Sequence, residues 1–199
     1  AALGDADPGV RRNAVAVSES FFSTHPQVLR AVQDRADDPD VTVRYQAALS
    51  LGQANAADIG EPLARIALRD LDNAWIRAAV LSSAAHVADE ILRHVIRASG
   101  SPARDELIGH LIATAAAGGD EPTLDRMLRT IAPGDGEPEV WQLTAAAALL
   151  EAAERKNVKL DRSPLAPAFG AARRWAADAE IDEAARVAAA ALLGREPDP

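Results

Sequence analysis

Cysteine is absent from the 199 residues. That absence excludes disulfides, thiolate metal sites, a cysteine nucleophile and covalent c-type haem attachment within the chain. Aromatic residues make up only 4% and there is one methionine, so the apolar mass is mostly small side chains. The longest strictly apolar run, 187–193, falls far short of the roughly 20 residues that a membrane-spanning helix needs. No stretch alternates with period two, which leaves no signal for a sheet. Gly-x-Gly-x-x-Gly and phosphate-loop motifs are missing, and "AAAGGDEP" reads as a helix stop rather than a nucleotide cradle. A basic excess is missing too. The formal net charge is −9, whereas binding to a phosphate backbone needs a cationic footprint.

What is abundant is alanine, with 46 residues, the best helix former and small enough to let helices approach closely. The chain opens on "AALGDADP" rather than on a methionine, and we read it as a piece of a longer protein. Its compartment is left open by composition.

The main organising signal is an internal repeat. Arg44 recurs as Arg11 and Arg77, 33 residues away on either side, within "DADPGVRRNAVAV", "DPDVTVRYQAALSL" and "DLDNAWIRAAVLSS". Val10, Val43 and Ile76 stand in register, followed by Ala14, Ala47 and Val80, and acids precede each arginine. Each unit reads as two helices. The first opens at an aspartate N-cap, Asp7, Asp38 or Asp72, with Pro8 and Pro39 at the first helical position in two of them. Gly52 reads as a helix stop. The second helices are expected over 27–35, 61–69 and 88–98. A pair this short cannot bury its apolar face alone, so neighbouring pairs must stack. Beyond residue 100 the aspartate–arginine signature fades but helices continue. One ends at Gly118–Gly119, a short one runs through Leu124, Met127, Leu128 and Ile131, "APGDGEPE" forms a loop, and three more cover about 139–155, 165–177 and 182–193.

"DPDVTVRYQAALSLG" and its two partners resemble HEAT repeats, whose first helix carries a proline near its start, an aspartate, then Val–Arg and small residues. The resemblance covers residues 3–98. It implies an all-α, right-handed α-α superhelix, a HEAT/armadillo-like solenoid of about ten to eleven helices continuing over 1–199. It also implies that second helices line a concave surface. A narrower resemblance rests on "VRYQAALSLGQ", "IALRDLDNAWIRAAVLSS" and "EVWQLTAAAALLEA". These are similar to the helical-repeat segment of large exported bacterial proteins described as membrane-bound dehydrogenases, in which a propeller-like domain precedes the segment and a cytochrome c domain follows it. That resemblance implies a spacer or scaffold, with redox chemistry and haem in parts outside this segment.

Stacking places Arg11, Arg44 and Arg77 in a row within reach of neighbouring aspartates, a structural ladder with Asp7, Asp38 and Asp72; an anion site is the alternative. The second helices carry closely spaced arginines, Arg65/Arg69, Arg93/Arg97 and Arg126/Arg129. They form either a concave stripe for an acidic partner or solvated faces matched to the helix dipoles. Trp75 either packs a unit junction, which we expect, or anchors a partner. Trp141 and Trp175 are expected in the core. His25, His86, His94 and His110 lack metal-ligand spacing, and the Ser83/His86 pair lacks an orienting acid. No catalytic, cofactor or metal residue is expected in this segment. The expected function is a non-catalytic scaffold that contacts protein partners or neighbouring domains, with no nucleic acid and no membrane span. The alternatives are part of a dehydrogenase–cytochrome enzyme, or a DNA glycosylase built from HEAT-like repeats.

Overall fold

A computed structural model describes residues 2–196 apart from Asn55, Gly119 and Asp135. Among these residues there are eleven α-helices and no strand. Their contacts divide the chain into two compact units, one up to Leu107 and one from Ile108.

The first unit holds α1 (Pro8–Ser18), α2 (Pro26–Gln33), α3 (Val41–Leu51), α4 (Gly60–Arg69), α5 (Ala74–Ser83) and α6 (Ala88–Val95), and α7 (Pro102–Gly118) begins in it. The helices form two layers. First helices α1, α3 and α5 pack side by side, while the 3-10 turn after α2, then α4 and α6, pack behind them. Between the layers lies a core of Val15, Val32, Val43, Leu51, Leu63, Ile66, Ile76, Ile91 and Leu92, all buried. This is a HEAT-like helical solenoid in its regular part.

Sequence explains the starts of the three first helices, with two corrections. Asp7 caps α1 as expected, accepting from the Gly9 and Val10 N–H groups at 2.7 and 3.1 Å, with Pro8 at the first helical position. In the second unit of the repeat the cap is Asp40, not Asp38; Asp40 accepts from Thr42 N–H at 2.8 Å and from Val43 N–H at 3.4 Å. In the third the cap is Asn73, not Asp72, with Trp75 and Ile76 N–H as donors. Asp7, Asp40 and Asn73 keep the 33-residue interval, so the repeat itself selects the right cap. The proline after Asp38 imitates the Asp7–Pro8 start, but the later acid takes the helix and leaves Asp38 to turn inward.

Small residues set how closely the units stack. Gly52 is not merely a stop, since its backbone is right-handed α and a Cβ there would lie 2.9 Å from Ser83 Cα. At Gly60, which opens α4, a Cβ would meet Glu90 Cβ at 2.7 Å. Ser18, Ser50 and Ser83 are all buried at the ends of the first helices, and Ser50 Oγ donates to Glu19 at 2.5 Å. Gly52 and Ser83 hold α3 against α5, and Gly60 holds α4 against α6, at distances that larger side chains forbid.

In the second unit α8 (Glu121–Ile131), α9 (Val140–Arg155), α10 (Ala166–Ala177) and α11 (Glu183–Leu193) assemble with α9 against α8 and α11, and α10 on α11. Leu143, Ala146, Leu150, Phe169, Ala172 and Ala189 fill their interior. Asn157 ends α9 at φ 56°, with Asn157 N–H and Val158 N–H donating to Glu154 O and Ala153 O at 2.9 Å each. That is the paired carbonyl capture of a left-handed helix terminus. The expected helix stop includes Gly119, which lies outside the described residues; α7 runs to Gly118. Trp141 and Trp175 are half-buried rather than core, and Trp175 Nε1 donates to Glu137 at 3.1 Å.

Candidate functional site

Three features were candidates: the arginine–aspartate row, the arginines of the second helices, and the surroundings of Trp75.

In the row, Arg11 Nε and Nη2 donate to the two carboxylate oxygens of Asp38 at 2.8 and 2.7 Å, and Nη1 donates to the carbonyls of Asp5 and Ala6. Arg44 repeats every contact one unit later, with Asp70 at 2.6 Å twice and the carbonyls of Asp38 and Pro39. The guanidinium fork thus clamps its own unit's entry loop with one nitrogen and the next unit's acid with two. Both arginines are buried, and so is Asp38. The carboxylate hydrogen bonds raise both guanidinium pKa values, Arg11 through Asp38 and Arg44 through Asp70. Burial alone would push Asp38 up, but the Arg11 hydrogen bonds and the Asp40 N–H outweigh it and hold Asp38 below the usual carboxylate range.

The acids of the row are therefore Asp38 and Asp70. Asp7 serves as a helix cap, and Asp72 is exposed. Arg77 reaches Leu71 O at 2.8 Å in the same way, but its acid is Glu106, 3.7 Å away and half exposed. Arg104, which sequence reading passed over, continues the backbone contact. It is 3% exposed and donates to Ala98 O, six residues back as in the other rungs, and to Asp105. It stands 27 rather than 33 residues after Arg77, so a search at the fixed interval misses it. With every carboxylate oxygen facing a donor, the row is built as a joint and leaves no open anion position at Arg11 or Arg44.

The second-helix arginines are interleaved with acids. Arg65 lies 3.6 Å from Asp37 and 3.9 Å from Glu61, and donates to Gln33 O; Arg69 donates to Asp37 O. Arg129 pairs with Asp125 and Asp161, and Arg126 donates to Thr123. Arg93 and Arg97 are exposed on and just after α6. Asp37 and Glu61 stand beside Arg65, and Asp37 also meets Arg69, so the face carries mixed charge rather than a cationic stripe.

Trp75 is where expectation and structure part most clearly. It plugs no junction, because its side chain is 76% exposed. Nor does it share a surface with the second-helix arginines, since it rises from the first turn of α5 in the layer of first helices. Beside it a groove of about 540 Å³ runs across α1, α3 and α5, lined by Arg12, Asn13, Val41, Thr42, Tyr45, Gln46, Asn73 and Ile76. The signal for it was available. A tryptophan at a position that asks only for helix propensity has no local reason to be large.

Residues 1–85 match the family of HEAT repeats. No curated protein and no solved structure matches the chain. The match to HEAT repeats supports the repeat architecture, and nothing found supports the narrower resemblance to the dehydrogenase–cytochrome segment. HEAT repeats are generally protein-interaction scaffolds and typically non-catalytic. Among the described residues, no group of three or more His, Asp or Glu side chains is placed to hold a metal ion, and the four histidines fall on separate elements or loops. No helix among them is long and apolar enough to cross a membrane.

Proposed function

We propose that the first unit is a non-catalytic helical-repeat scaffold that docks a protein partner in the groove beside Trp75. The observation that carries this reading is the exposure of the Trp75 ring at the edge of a groove three first helices wide. Tryptophan is the residue most enriched among interface anchors, and exposing one leaves a large apolar area in water that a partner would cover. The buried arginine–aspartate joints add rigidity to the lining, which lowers the ordering cost of binding. The test is cross-linking followed by mass spectrometry in the source cells, with the wild-type chain, Trp75→Ala and an Arg93→Ala/Arg97→Ala control. A partner lost only with Trp75→Ala supports the reading; partners retained by Trp75→Ala and lost with the control move the interface to the second helices.

The finer proposal, that this scaffold belongs to an exported dehydrogenase with a cytochrome c domain, is supported only by the sequence resemblance described above. A Cys-x-x-Cys-His motif in the flanking coding sequence would establish the haem domain; its absence there removes the proposal.

A further inference from the structure

We infer that the groove beside Trp75 takes an extended peptide of the partner that carries a carboxylate about four to six residues from an aromatic or large aliphatic side chain. This rests on the docking role proposed above and adds the chemistry of what docks. The first observation is charge. The lining includes one cation, Arg12, and no acid, in a chain that has 30 acidic residues and a net charge of −9. The Arg12 side chain is exposed and makes no ion pair or hydrogen bond among the described residues, unlike that of its neighbour Arg11. The acid nearest in sequence on the facing helix, Asp40, is already occupied by the N–H and hydroxyl of Thr42 and the N–H of Val43. A carboxylate is the group that Arg12 lacks and that the surrounding net charge otherwise repels.

Spacing is the second argument. Arg12 stands on α1 and Trp75 on α5, with α3 between them. Packed helices lie about 8–10 Å apart, so the two residues are separated by two such steps, roughly 16–20 Å. An extended chain advances about 3.3 Å per residue, which makes the span about five or six residues, or four when the side chains lean inward. Gln46 stands on α3, between them, and Asn13, one repeat interval earlier, stands beside Arg12 on α1. The Asn13 side chain has no hydrogen-bond partner among the described residues, and that of Gln46 uses only its Nε2, on Ser50. Side-chain amides offer both a donor and an acceptor, which is what the backbone of an extended peptide requires.

The test is a random-peptide phage library panned on the full chain, with Trp75→Ala for counter-selection and the selected peptides then measured against Arg12→Glu and Arg12→Lys. The expected result is enrichment of Asp or Glu four to six positions from Trp, Phe, Tyr or Leu. Arg12→Glu should weaken these peptides by about tenfold and Arg12→Lys by less, with affinity falling as salt is added. Peptides that depend on Trp75 but lack an acid and ignore Arg12→Glu overturn this inference and leave the docking groove standing. Recovery of no Trp75-dependent peptide overturns both.

Discussion

Arg11 and Asp38, 27 residues apart in sequence, face each other through two hydrogen bonds of 2.8 and 2.7 Å inside the joint between consecutive helix pairs. Arg44 makes the same arrangement with Asp70 at 2.6 Å. A stack held by apolar surface alone could slide; a two-pronged fork that also grips carbonyls of its own unit fixes register at each joint.

Rungs should differ in strength. Arg44 is buried against a near-ideal carboxylate, whereas the Arg77–Glu106 contact is long and partly solvated. Arg44→Ala strands the Asp70 carboxylate and two carbonyls and is expected to cost about 3 kcal/mol. Arg77→Ala is expected to cost about 1 kcal/mol or less. Urea unfolding of the two variants gives the comparison, and equal losses would contradict the ladder geometry.

Acid should weaken the first joint. Asp38 is held below its ordinary value, so its contribution is complete above the unfolded-state value of about 3.9 and is lost as pH falls through the folded one. Stability therefore declines on acidification below about pH 4. Asp38→Asn should flatten part of that decline, leaving the slopes from Asp40, Asp120 and Asp161, which are also lowered. Urea midpoints across pH 2–5 read this directly, and wild-type-like slopes in Asp38→Asn would argue against it.

Gly52 tests the close approach of α3 and α5. Gly52→Ala places a methyl group against Ser83 and is expected to destabilise by about 2 kcal/mol, although alanine is the better helix former. Ser83→Gly in the same chain should recover part of the loss, a coupling visible in a double-mutant cycle. Additive effects would mean that the two residues do not touch.

The helix caps provide a discrimination at adjacent positions. Asn73→Ala removes the acceptor for Trp75 and Ile76 N–H and should cost about 1 kcal/mol. Asp72→Ala should stay within about 0.5 kcal/mol, since Asp72 is exposed and caps nothing. Thermal unfolding distinguishes them, and a larger effect at Asp72 would restore the cap to that residue.

Much of the architecture was legible because it is periodic. The in-phase Val10, Val43 and Ile76, with Arg11, Arg44 and Arg77 beside them, identify a stack of helix pairs, and the family match and the layered helices agree. The cap errors came where two capping residues stood close together. Asp38 and Asp40 each suit a helix start, and only strict counting from Asp7, or the inward turn of Asp38, separates cap from rung. Arg104 was hidden because α6 and the connection before α6 are shorter than α4 and the connection before it, which breaks the interval while preserving the contact to a carbonyl six residues back. Trp75 was misplaced for another reason. Helical phase says which residues can face the core, but a first-turn position next to the cap lies at the edge of the buried stripe, and side-chain size alone does not imply burial.

The claim on which the functional reading depends is that Trp75 is an anchor. The most direct measurement uses a single-tryptophan chain, Trp141→Phe/Trp175→Phe, titrated with a Trp75-dependent partner or peptide while the emission of Trp75 is followed. Emission starting at the long wavelength of a ring in water and moving to the blue in step with binding is the predicted result. Saturated binding with the emission of Trp75 unchanged would contradict the account.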